Sequence, residues 1–255
     1  MNTLQIPRYP VTIDGDTAQI GTANELVIAL DVLHGQRDRA VLEQIRPHLA
    51  DIIGGPAGFA NVMRSLEPAD QIYLIDALGA RLADILQEPR FLRDLFATMA
   101  VVEVEQRLLN VLGTSGLRAL IVTAAELGQV LEWIYGQCDR QLIDLLGAIY
   151  LRDIIRSGSE LGLVLTSLDE AGQLDLIEKL GWQRAVEMID DGRDLALLLR
   201  ALPASLSQQL LEHFSREQLV DLIGNKHDWA YLYDRLEPAE AENLLTKLGA
   251  KQNAA

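Results

Sequence analysis

The residues best suited to chemistry are carboxylates that recur at a fixed spacing. Asp76, Asp144, Glu178 and Glu212 occupy one place in the pattern, with Asn110 filling it between Asp76 and Asp144. Each lies three residues before Gly79, Gly113, Gly147, Gly181 or Ser215. A second set, Asp84, Asp153, Glu187 and Asp221, follows a similar interval. Paired carboxylates serve as general acid and base inside a pocket that shifts a pKa. On outward helix faces they solvate the surface, or they form a docking strip that steers a basic segment of a partner. Solvation is the plain reading of these columns, and docking is the functional one.

Five aromatics, Trp133, Tyr135, Tyr150, Trp182 and Tyr231, stand off the apolar stripes described below. Such side chains supply many binding hot spots, but they also pack between helices. Their clustering on one exposed face would favour contact with a partner.

Other reactive residues are sparse. None of His34, His48, His213 and His227 pairs at helical spacing with further ligands, whereas zinc needs three or four that converge. Cys138 sits beside Asp139 and Arg140 with no base in sequence to activate it, so a structural thiol is expected. Gly54-Gly55-Pro56-Ala57-Gly58 lacks the Gly-Lys-Ser/Thr that completes a phosphate loop and reads as a turn, as does Ser157-Gly158-Ser159. No catalytic residue, metal or cofactor is expected.

Charge narrows the partners. The chain of 255 residues carries 22 basic and 37 acidic residues, a net charge of −15. That field repels nucleic acids and anionic membrane surfaces. No apolar run is long enough for a membrane span. The single cysteine excludes an internal disulfide. Met1 to Tyr9 lacks the pattern of a secretion signal, so a cytoplasmic protein is expected. An apolar fraction of 49% with few aromatics and much leucine favours helices over sheets.

The elements that must position these residues repeat. Apolar quartets at i, i+3, i+4, i+7 mark one helix face each. They read Leu26-Ala29-Leu30-Leu33, Phe59-Val62-Met63-Leu66, Leu92-Leu95-Phe96-Met99 and Leu127-Val130-Leu131-Ile134. Leu161-Val164-Leu165-Leu168, Leu195-Leu198-Leu199-Leu202 and Trp229-Leu232-Tyr233-Leu236 complete the series. Successive starts lie 33, 33, 35, 34, 34 and 34 residues apart, the mark of a repeat architecture. Between quartets come Gly79, Gly113, Gly147 and Gly181, then Ser215 and Gly249. Apolar residues step by five across Gly113 and Gly147, and around Gly79 they come one residue earlier (Leu82, Ile85, Leu86); the helix is expected to break at the glycine, in a left-handed conformation. At Ser215 that conformation would be strained, or the break is softer.

Ordering each residue costs about 1–2 kcal/mol of backbone entropy, and each buried leucine returns only about 1.5–3 kcal/mol. One unit alone cannot offset its own ordering, so neighbours must stack. The expected fold is all-α: a right-handed α-solenoid of about six ~34-residue repeats of short helices. Residues 1–22 form an extended or hairpin cap, because Asp14-Gly15 is a hairpin signal. Residues 23–249 form one solenoid domain, and 250–255 a flexible tail. In the first helix Val27, Ile28 and Val32 lie off the core stripe. The segment 4–20, with Val11, Ile13 and Ile20 inward, is expected to cover them. A partner, or self-association through the N-terminal end, is the other explanation.

The phrases Leu66-Glu67-Pro68-Ala69-Asp70 and Leu236-Glu237-Pro238-Ala239-Glu240, each leading into a helix, resemble two known designs. These are the armadillo-type helices of flagellar motor switch proteins and the cytosolic superhelical domain of magnesium transporters. The resemblance spans short scattered stretches and implies a helical-repeat architecture, without function or site residues. The 34-residue period also matches tetratricopeptide repeats, but the Trp, Tyr and Pro positions of that signature are missing. The functional expectation is a non-catalytic scaffold or adaptor that offers an acidic surface to a protein partner. An enzyme with a carboxylate-lined pocket and a carrier with an apolar cavity are the alternatives.

If the quartets face one another in a shared core, Leu165→Asp places a charge there. The expected result is one cooperative thermal transition at a much lower temperature. A transition unchanged by this substitution would contradict the register.

Overall fold

A computed structural model describes residues 7–13, 15–33, 37–99, 101–223 and 238–248 of the chain. The protein is mostly helical, with a two-stranded antiparallel sheet near its N-terminal end. Among the described residues no helix is long and apolar enough to cross a membrane. The chain divides into two compact units at the Ile121–Val122 junction.

The first unit opens with strands β1 (Tyr9–Ile13) and β2 (Asp16–Ile20), paired from Tyr9↔Ile20 to Ile13↔Asp16. Helices α1 (Ala23–Leu33), α2 (Asp38–Ile45), α3 (Leu49–Ile53) and α4 (Pro56–Ser65) follow. Then come α5 (Pro68–Leu78), α6 (Arg81–Leu86), α7 (Pro89–Phe96) and α8 (Val102–Leu120). Proline occupies the first position of α4, α5 and α7, where its missing N–H has no partner to lose. Helix α1 packs on α4, α2 on α5, and α5 and α6 on α8. Arg39 of α2 reaches across to α5, with its guanidinium 3.7 Å above the Tyr73 ring and 3.5 Å from Asp70.

The hairpin is seated differently from the expectation. Val11 and Ile20 are buried and strand β2 touches α1, but strand β1 docks on α2. There the Thr12 N–H donates to Gln44 Oε1 at 2.9 Å, and Gln44 Nε2 donates to the Thr12 carbonyl at 3.0 Å. The Tyr9 ring stacks on His48 with centroids 3.8 Å apart. An edge strand needs its backbone groups satisfied, and the Gln44 amide meets one donor and one acceptor together. Ile28 and Val32 are consequently left 63% and 70% exposed. The Ile13 side chain lies outside the described residues.

The second unit contains α9 (Ala124–Leu131), α10 (Gly136–Ile154), α11 (Gly158–Leu165) and α12 (Glu170–Leu180). Helices α13 (Trp182–Glu187), α14 (Gly192–Ala201), α15 (Ala204–Glu212), α16 (Arg216–Leu222) and α17 (Pro238–Leu248) complete it. Helix α11 lies between α9 and α14, while α10 packs on α12 and α15 on α17. Caps begin several helices as their sequences dictate. Thr123 and Glu126 form a capping box on α9, Ser157 caps α11, and Asp191 accepts from two N–H groups of α14. In the quartets of α4, α7, α9, α11 and α14 every member is buried; in α1, Leu26 and Leu30 are buried and Ala29 is half-buried. The last quartet, from Trp229, lies outside the described residues.

The periodic glycines do break the helices, but not in the left-handed α conformation. Gly79, Gly113, Gly147 and Gly181 have φ of 52°, 57°, 74° and 90°. Their ψ values are −132°, −175°, 154° and 131°, which is extended. A side chain is more strongly excluded from this combination than from the left-handed helix region. The chain therefore turns a corner and starts again, and α8 and α10 are each two helical segments joined at such a corner. Ser215 makes its break another way, with φ −73° and ψ 158° as a cap whose hydroxyl accepts from the Gln218 N–H. It is not strained. Gly249 lies outside the described residues.

Short helices end often, and each C-terminal end leaves carbonyls without partners. Inside a core those carbonyls need donors. Eight residues before each corner, and at a similar interval before the first, stands a polar residue: Asp38, Gln71, Glu105, Asp139, Gln173, Ser207. All are buried except Gln71, which is half-buried. Gln71 Nε2 donates to the Met63 carbonyl at 2.8 Å. Gln173 Nε2 serves the carbonyls of Leu165, Leu168 and Ala201 at 2.9, 3.3 and 3.0 Å. The Ser207 hydroxyl bonds the Leu199 carbonyl at 3.1 Å and lies 3.4 Å from that of Leu202. Each serves a carbonyl at the close of the preceding quartet helix, and Gln173 also reaches that of Ala201 at the end of the following one, α14.

Asp38 is one of three acids in this series, with Glu105 and Asp139, and an ionised carboxylate can only accept. Asp38 is 1% exposed and its Oδ1 has no hydrogen-bond partner. Burial first, and then the charges of Asp70, Asp31 and Glu67, raise its pKa from the ordinary 3.8. The protonated form is thus the one the fold favours.

Gln173→Leu is expected to lower unfolding free energy by about 1–3 kcal/mol in denaturant titration, because buried carbonyls lose their donor. Asp38→Asn is expected to act in the opposite direction at neutral pH. A raised folded pKa gives stability that is full below 3.8 and is lost as pH rises through the folded value. The Asn variant should therefore melt higher than wild type at neutral pH, and the gap should close on acidification. A gap that is constant with pH would rule out titration of Asp38 as the cause.

Candidate functional site

Helices α13 and α16 each offer one carboxylate of the second acidic column, and the fold brings these two together. Glu187 ends α13 and Asp221 lies in α16. With Asp190 they rim an open groove of ≈ 300 Å³ in the second unit. All three are exposed, while Val186, Ile189 and Phe214 beneath them are buried. The floor is apolar and the rim acidic. Local sequence explains the layout. Val186, Met188 and Ile189 are buried at and just past the end of α13, while Glu187 and Asp190 face out. Phe214 closes α15 just before the Ser215 cap, which aims α16. Arg184 lies one turn from Glu187 at 3.6 Å and neutralises part of this rim.

Such a groove suits a side chain with an apolar stem and a cationic head. Lys and Arg bury their methylenes and keep the charge at the edge. A flexible segment of such residues would meet apolar contacts below and charge above.

The first acidic column is not a continuous ridge of one sign. Asp76 pairs with Arg107, and Asp144 pairs with Lys179. The Asp76 carboxylate pushes the Arg107 guanidinium further up in pKa, through a hydrogen bond first and charge second. Glu178 is exposed on α12. Glu212 ends α15, where Gln208 Nε2 lies 3.4 Å from its carboxylate, and Lys247 Nζ approaches its backbone carbonyl at 3.3 Å. Bases 31 and 35 residues downstream of Asp76 and Asp144 thus interrupt the expected strip.

The aromatics separate into two environments. Trp133 and Tyr135 flank the turn from α9 to α10 and are 49% and 48% exposed. Tyr150, on α10, and Trp182, at the start of α13, are half-buried. Trp182 stacks on His213 with ring centroids 5.3 Å apart, tying α13 to the end of α15. Tyr231 lies outside the described residues. Only Trp133 and Tyr135 therefore share an exposed place.

The remaining candidates are structural. Cys138 is buried in α10. His48 and His213 each stack on an aromatic ring, and His34 and His227 lie outside the described residues. Gly54–Gly58 and Ser157–Ser159 are turns that open α4 and α11. Among the described residues no three His, Cys, Asp or Glu side chains group as a metal site. Sequence reasoning missed Asp190 as a rim residue. It stands in a turn outside both columns, and only the packing of α13 near α16 gives it a role.

No protein-family model, curated protein or solved structure matches the chain.

Proposed function

We propose that the chain is a non-catalytic interaction protein that presents an acidic groove to a protein partner carrying a basic segment. The observation that carries this reading is the ring of Glu187, Asp190 and Asp221 over the buried Val186, Ile189 and Phe214. A net charge of −15 adds long-range attraction for such a segment and repels nucleic acids. Glu178 and Glu212 extend the acidic surface of the second unit. Trp133 and Tyr135 supply aromatic anchors for a wider contact. The architecture that suits this role is a right-handed α-solenoid of 34-residue units. Three features support it: the recurring buried quartets, the α9–α11–α14 packing and the corner glycines. The groove is open to solvent, which suits a side chain presented by a partner better than a sequestered reaction.

The test uses the full chain and a fluorescent amphipathic Lys/Leu peptide read by anisotropy. Binding is expected to weaken as salt rises. Glu187→Lys combined with Asp221→Lys should weaken it by about tenfold or more and flatten the salt dependence. Asp84→Lys, in the first unit, should leave it unchanged. Equal loss with all charge reversals would mean a diffuse attraction without a site, and unaltered binding would exclude the groove.

A further inference from the structure

We infer that the outward face of α1 and α4 docks a second copy of this chain in a two-fold arrangement. The face has what an aqueous surface normally avoids. Ile28 and Val32 stand 63% and 70% exposed one turn apart on α1. Their neighbour Val27 lines an open groove of ≈ 510 Å³ that runs between α1 and α4. The hairpin expected to cover them is held on α2 by the paired Thr12–Gln44 hydrogen bonds.

Charge selects the occupant. The groove carries one acid and one base on different helices: Asp31 on α1 and Arg64 on α4. Arg64 is held outward by a 3.0 Å hydrogen bond from its Nη1 to Asn61 Oδ1. No ion pair engages either residue among those described. In a two-fold interface residue i meets j while j meets i. Asp31 of each copy then faces Arg64 of the other, and both charges are met twice with one geometry. A basic segment would be repelled by Arg64, and an anionic lipid surface by Asp31 and by the net charge of −15. The patch is locally neutral, so two copies can approach here although the chains repel each other elsewhere.

Size sets the strength. Two helices of 11 and 10 residues give a face roughly 15 Å long. At about 10 Å of width per helix the pair covers roughly 300 Å², well below the ~800 Å² per partner of standard stable complexes. The dimer is therefore concentration-dependent, not obligate.

The surface is independent of the α13–α16 groove, so the two readings fail separately. Sedimentation velocity of the full chain over a concentration series tests it. The mass should rise toward that of two chains, and Ile28→Asp should hold it at one. Asp31→Arg and Arg64→Asp should each weaken association by about tenfold, and the double variant should restore it. Circular dichroism melts check folding of each variant, since all three positions are on the surface. Glu187→Lys with Asp221→Lys should leave self-association unchanged. A wild type that stays monomeric throughout overturns the inference. So does a dimer that survives Ile28→Asp, or a charge swap that fails to restore association.

Discussion

The constraint on which this structure rests is the number of helix ends. Most of its helices have between five and eleven residues, so a large share of the backbone lies within a turn of a terminus. Every C-terminus exposes carbonyls that no intrahelical N–H can reach. Packing on neighbouring helices removes the water that would otherwise satisfy them. Three kinds of donor fill the gap. The buried series contributes Gln71, Gln173 and Ser207. Hydroxyls of Ser65, Thr98 and Thr166 fold back on carbonyls three residues earlier. A longer side chain, Arg152, places its guanidinium 2.8 Å from the Leu180 carbonyl, beside the corner at Gly181. The apolar quartets supply the driving force for burial, but these donors make burial tolerable for the backbone.

The corner glycines solve the complementary problem of direction. A helix that simply ended in the left-handed conformation would leave the next segment free in angle. Positive φ with extended ψ instead re-aims the chain within one residue, and the new helix starts at once. The Ser215 cap shows that another residue manages a turn where the geometry is milder. Glycine is required at the four sharp corners because only it lacks the Cβ that this backbone excludes. Three places in the series hold acids, Asp38, Glu105 and Asp139, and at Asp38 burial raises the pKa, which couples the first unit to pH.

Much of the helical framework was legible from side-chain pattern. Leu161, Val164, Leu165 and Leu168 declare a face by spacing alone, and the same holds for the other quartets among the described residues. The breaks at Gly79 to Gly181 were legible too, but their ψ values were not, because tertiary packing sets the exit direction. Gln173 and Ser207 carried a signal in their position eight residues before each corner. It was passed over because polar residues read as surface until a buried carbonyl stands beside them. The hairpin was legible at Asp14-Gly15, whereas its seat on Gln44 depended on a side chain 32 residues away. Likewise Arg107 and Lys179 are plain in sequence, but nothing local tells that they sit on Asp76 and Asp144. Glu187 and Asp221 were visible as a column. Their union with Asp190 needed the approach of α13 to α16.

The division of labour between inside and outside follows from these facts. Inward positions are committed twice, to quartet leucines and to donors for helix ends, so they have little freedom to vary with function. Outward positions carry no such duty, and the chain uses them unevenly. Where bases stand opposite acids, as at Asp76 and Asp144, the surface is internally neutralised and offers little to a partner. Around α13 and α16 the acids outnumber Arg184 and surround an apolar floor, so attraction and desolvation act at one place. On α1 and α4 a single acid and a single base flank exposed Ile28 and Val32, and the balance favours a like surface over a basic one. Function in a chain of this kind is therefore read from which outward charges lack a partner beside exposed or shallow apolar surface, because the core is occupied with keeping short helices intact.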